Sequence, residues 1–187
     1  MHRIMLAAVA GALALGTAPA LADRDNDHFS AKLSGFEEVG AVGAGQTGAI
    51  LSAGTATLEL QLDRNAQTLT YTLEFSGLGS DVTQSHIHFG KRHVGGGVMV
   101  FFCSNLNNGP AGTPACPAGG GTVTGTVGAA GVVGPAAQGV AAGNFDAVVE
   151  ALDSHTAYAN IHTTKFPAGE IRGQIRGNHG HHDHDRD

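Results

Sequence analysis

Two stretches of unbroken period-two alternation constrain this chain more than any other feature. Ala56, Leu58, Leu60 and Leu62 alternate with Thr57, Glu59 and Gln61, and Leu69, Tyr71, Leu73 and Phe75 alternate with Thr70, Thr72 and Glu74. Successive side chains of a strand point to opposite faces, so each stretch is a strand with one buried and one wet face. The turn at Asp63-Arg64-Asn65 joins them into a hairpin.

The same period recurs elsewhere. Phe29, Ala31 and Leu33 form a first strand, and strands are expected over residues 85–89, 98–103, 122–127, 158–163 and 170–176. Helical spacing occurs over 144–152, where Phe145, Val148, Val149 and Leu152 share a face and Asn144 is placed to cap. Of 187 residues 29 are Gly, about twice the usual share of about 7%, which favours turns over long helices. The expected fold is all-β, an antiparallel Greek-key-like β-sandwich of about seven to eight strands with one short helix. Its core should include Leu58, Leu60, Leu69, Leu73, Phe75, Ile87, Phe89, Ile161 and Ile171.

The two ends differ from the body of the chain. Residues 1–22 read as a signal peptide: His2 and Arg3, an apolar run over 4–15, and the small-x-small site Ala20-Leu21-Ala22. The run is shorter than the roughly 20 residues needed to span a bilayer. Secretion or a periplasmic location is therefore expected, with no membrane span, a β-sandwich domain over 23–177 and a disordered tail over 178–187. In that tail His179, His181, His182 and His184 are interspersed with Asp, a composition that loads divalent metals weakly. The formal net charge of −6 argues against nucleic acid and anionic membrane surfaces as partners, and for cations.

Cys103 and Cys116 bracket a loop rich in Asn, Gly and Pro. In an exported chain this pattern predicts a disulfide, the alternative being a thiolate pair for metal or catalysis, which usually shows much closer spacing.

The stretch Ser85-His86-Ile87-His88-Phe89-Gly90 carries the most chemistry. On a strand His86 and His88 share one face, while Ile87 and Phe89 point to the other. His162, in Ala159-Asn160-Ile161-His162-Thr163, has the same relation to Ile161, and His93 follows in the Gly-rich loop. His86, His88, His162 and His93 form a candidate ligand set for copper or zinc. The competing reading of the same residues is a hydrogen-bonded polar network. Asn160, Tyr158, Arg172 and Glu170 lie on matching faces and are candidates to support the histidines rather than to ligate. An ion pair of Arg172 with Glu170 or Glu74 is the structural alternative for that arginine.

Taken together, His86-Ile87-His88-Phe89-Gly90, the run Val98-Met99-Val100-Phe101-Phe102, Ala157-Tyr158-Ala159-Asn160-Ile161-His162-Thr163 and Pro167-Ala168-Gly169-Glu170-Ile171-Arg172-Gly173-Gln174-Ile175 resemble a CHRD domain. This module is repeated in chordin and stands alone in exported bacterial proteins. The resemblance covers about residues 29–177 and implies an extracellular binding module. A fainter resemblance is to copper-zinc superoxide dismutase, whose copper strand also carries His-x-His but with an acidic residue before Phe and Gly that this chain lacks. That likeness implies a copper-dependent dismutase-like enzyme in which Arg172 would attract the superoxide anion.

No Gly-x-Ser-x-Gly elbow, phosphate loop or His-Glu-x-x-His helix occurs. The residues favour an exported module without catalytic apparatus, binding a transition metal through clustered histidines or an extracellular or envelope protein. A copper enzyme is the alternative.

Overall fold

The computed structural model describes residues 26–39, 41–42 and 46–177. The expected signal peptide and the His/Asp tail lie outside the described residues. In chain order the strands are β1 (Asn26–Ser34), β2 (Ala41–Val42), β3 (Gln46–Thr47), β4 (Thr55–Asp63), β5 (Thr68–Ser76), β6 (Val82–Phe89), β7 (Gly97–Ser104), β8 (Gly121–Val127), β9 (Ala157–Thr163), β10 (Ile171–Gln174) and β11 (Arg176–Gly177). The helix α1 spans Phe145–Asp153, and the Asn144 side chain accepts a hydrogen bond from the Ala147 amide at 3.2 Å, capping it as its sequence implies.

The hairpin of β4 and β5 sets the register of the whole sheet. Ala56 faces Phe75, Leu58 faces Leu73, Leu60 faces Tyr71 and Leu62 faces Leu69. β1 adds Leu33, Ala31 and Phe29 opposite Ala56, Leu58 and Leu60, so three strands deliver their apolar sets to one face. A slip of one residue would send all of them to solvent. The complete order is β7-β6-β9-β10-β1-β4-β5-β8, with β11 also on β1 and β2 and β3 forming a separate ribbon. All pairings are antiparallel. The sheet curls around one core until its end strands approach, and a bridge from Val100 to Val132 ties β7 to the segment after β8.

Of the expected core, Leu58, Leu60, Leu69, Leu73, Phe75, Ile87, Ile161 and Ile171 are buried. Phe89 is only partly buried, packing against the core from the end of β6. α1 adds Phe145, Val148, Ala151 and Leu152 to the same core.

Cys103 and Cys116 form a disulfide with a Cα–Cα separation of 5.0 Å. Asn105 fixes the loop that it closes: its amide nitrogen donates to the carbonyls of Val82 and Cys116, and its side-chain oxygen accepts from the Cys116 amide. Titration of denatured, unreduced protein should find no reactive thiol. Replacing both cysteines with Ala should lower the unfolding free energy by about 3 kcal/mol, the loop-closure value for a crosslink of this span. A loss below about 1 kcal/mol in denaturant titration would mean that Asn105 and its neighbours hold the loop unaided.

Candidate metal centre

On the face of the sheet opposite the apolar core, β6 and β9 run antiparallel with His86 opposite Asn160, His88 opposite Tyr158 and Gln84 opposite His162. β10 extends the rows, with Arg172 opposite Asn160 and Gln174 opposite Tyr158. Alternation therefore sends Ala157, Ala159 and Ile161 inward and Tyr158, Asn160 and His162 outward. The outward face is nonetheless buried, because every residue of β9 is covered.

His86, His88 and His162 are 2%, 7% and 8% exposed. Their ring centroids are 5.3 Å apart for His86 and His88, 5.1 Å for His86 and His162, and 6.2 Å for His88 and His162. One ring nitrogen from each lies within 4.8 Å of the others. Modest side-chain rotation would bring these atoms around an ion with bonds near 2.0 Å.

Two of the rings are oriented by backbone. His88 Nδ1 is 2.9 Å from the Gly96 carbonyl and His162 Nδ1 is 2.9 Å from the Pro167 carbonyl. A carbonyl can only accept, so each Nδ1 carries the proton and each Nε2 presents a lone pair. Second partners of this kind are what set the tautomer of a ligating histidine. A side chain at Gly96 would overlap the Phe89 carbonyl, so the close approach of this turn to His88 requires glycine.

His86 differs from both. Neither of its buried ring nitrogens makes a hydrogen bond of good geometry, and the Asn160 side chain beside the ring opposes the effect of burial without offsetting it. Phe101 meets the ring edge-on at 4.4 Å. Burial, reinforced by His162 and His88, pushes its pKa down to about 2. Burial takes His88 down to about 4 and lowers His162 as well. All three rings are neutral at physiological pH, the protonation state that ligates metal.

Asn160 stands among the rings. It is 3% exposed, and its Oδ1 is 3.0 Å from His88 Nε2 and 3.1 Å from His162 Nε2. Tyr158 stacks on His88 with centroids 4.8 Å apart and planes 4° from parallel, and Arg172 covers Tyr158 at 3.4 Å. Tyr158 and Arg172 thus brace His88 through one continuous stack.

The remaining expected residues are placed elsewhere. Arg172 Nη2 donates to the carbonyls of Lys91 and Val94, both at 3.0 Å, and the arginine makes no ion pair with Glu170 or Glu74 among the described residues. At 2% exposure its guanidinium is a structural clamp on the Gly-rich loop and does not face solvent as an anion attractor would. Glu170 Oε1 accepts from Ser52 Oγ at 2.6 Å and from the Gly79 amide at 2.7 Å, and Oε2 accepts from Thr163 Oγ1 at 2.7 Å. Its carboxylate ties loops together and is not one of the clustered ligand groups. His93 is exposed in the loop after β6 and lies outside the triad. Sequence reasoning missed Phe101 and the two orienting carbonyls. Only the run of three glycines hinted that a backbone would approach so closely.

These features define an all-β domain with a buried histidine triad on one face of its sheet. The CHRD domain family model matches residues 29–175, and the chain belongs to the CHRD domain family. Neither the curated proteins nor the solved structures contain a match to it, so the likeness to copper-zinc superoxide dismutase rests on the His-x-His motif alone. Among the described residues no helix is long and apolar enough to cross a membrane. The disulfide and the CHRD domain are compatible with an extracellular location.

Proposed function

We propose that this CHRD domain is exported by the leader at 1–22 and binds a copper or zinc ion through His86, His88 and His162, as a binding module rather than an enzyme. The observation that carries the reading is His86, whose two buried ring nitrogens make no hydrogen bond of good geometry while two more imidazoles converge on it. An unsatisfied buried polar atom costs about 1–3 kcal/mol, and a bound ion is one of the few things that removes the cost. A polar network, the competing reading, supplies well-formed hydrogen bonds to its members, and His86 makes none of good geometry. The charge of −6 favours the approach of a cation from solvent.

The test uses the full chain with His179, His181, His182 and His184 replaced by Ala, so that uptake by the tail does not mask the site. Calorimetric titration should show one copper or zinc ion bound per chain. His86→Ala should weaken binding by more than the roughly 10–100-fold that loss of an outer partner causes, with the far-ultraviolet circular dichroism spectrum retained. Equal affinity in the parent and in His86→Ala would place the ion elsewhere.

A further inference from the structure

We propose that Asn160 is the fourth ligand of this site, binding the ion through Oδ1 and closing an N3O shell around a divalent first-row cation. The inference rests on the metal reading of the triad. The register puts Asn160 in the middle of the cluster: its backbone lies between His86 on β6 and Arg172 on β10, and its carbonyl accepts from Ser85 Oγ at 2.7 Å. These contacts hold the side chain where it faces the rings.

The protons on the rings point to the role of Asn160. A neutral imidazole has one N–H, and His88 and His162 each direct theirs at a backbone carbonyl. Their Nε2 lone pairs then face Asn160 Oδ1 at 3.0 and 3.1 Å. An amide oxygen is also an acceptor, so three acceptor atoms meet with no proton among them, and His86 adds a ring with no well-formed hydrogen bond of its own. With the amide oxygen in this position such an arrangement is repulsive, and a cation among the atoms turns all of its lone pairs to use. Tetrahedral coordination with bonds near 2.0 Å needs donor separations of about 3.3 Å, close to the spacing already present between Oδ1 and the two Nε2 atoms. Four protein donors leave no open position, which marks a structural or sequestering site rather than a catalytic one. The rival arrangement is a rotated amide whose nitrogen donates one hydrogen to each Nε2, with no metal role for the residue.

Cobalt(II) separates the two, added to the full chain carrying the four tail substitutions. The parent should take up one Co2+ per chain and show the intense visible bands of tetrahedral cobalt. Asn160→Ala should weaken binding by more than the roughly 10–100-fold that loss of an outer partner causes, with altered bands as water replaces the amide oxygen. Asn160→Asp, which keeps an oxygen and the volume, should bind at least as tightly as the parent. Unchanged bands and affinity in Asn160→Ala, or loss of binding in a folded Asn160→Asp, would overturn the fourth ligand while leaving the triad intact. Absence of any Co2+ uptake by the parent would overturn both this inference and the metal reading.

Discussion

Metal-stripped protein should lose about 3 kcal/mol of stability between pH 6.5 and pH 5, and about 6 kcal/mol by pH 4, from His86 and His88 alone. In the unfolded chain both imidazoles protonate near their ordinary value of about 6.5. In the folded protein burial holds His86 down to about 2 and His88 to about 4. Below about pH 6.5 the unfolded state therefore binds more protons than the folded state, and stability falls as pH falls. His162, lowered by burial in the same direction, adds to the loss. Against a typical total of about 5–15 kcal/mol, this is a large share of the stability of the domain. Urea titrations of metal-stripped protein at pH 6.5 and 5 measure the effect before most carboxylates protonate. A change below about 1 kcal/mol over that interval would show that the rings are solvated and protonate in place.

The largest single loss in the core is expected from Phe102→Ala, at about 3–5 kcal/mol. Phe102 is fully buried on β7, and its ring lies 4.8 Å from that of Tyr71 on β5. The Tyr71 hydroxyl donates to the Phe102 carbonyl at 2.7 Å, so this pair links one end of the sheet to a strand near the other. Truncation leaves a cavity where the curled sheet closes and removes an aromatic contact as well. Denaturant unfolding with an unchanged slope and a lower midpoint should report it. A loss under about 1 kcal/mol would mean that neighbouring side chains refill the space.

Much of this fold was legible in the sequence because its strands are half-buried and strictly alternating. The hairpin of β4 and β5, the strand at Phe29 and the helix capped by Asn144 follow from local spacing alone. That His86, His88 and His162 share a side of their sheet was also readable, from the inward neighbours Ile87 and Ile161. Their convergence was not, since it depends on β6 pairing with β9 across more than seventy residues, and local pattern says nothing about which strands meet. The burial of the polar face was hidden for a similar reason. It arises from loop backbone at Gly96 and Pro167 folding over the rings. Arg172 and Glu170 share a strand face, which suggested an ion pair, yet Arg172 turns to the carbonyls of Lys91 and Val94 while Glu170 binds Ser52, Gly79 and Thr163. Neighbouring charges on one face found separate loops to hold, and loop paths are what residue spacing specifies least.

X-ray absorption at the metal edge tests most directly whether the buried triad holds a transition ion. The sample is the full chain with the four tail histidines replaced by Ala, loaded with one equivalent of zinc and washed free of excess. The expected result is retained metal whose shell contains three imidazole nitrogens at about 2.0 Å, lost on substitution of His86 and His162 by Ala. Metal that washes away, or a retained ion in a shell of oxygen atoms alone, would contradict it.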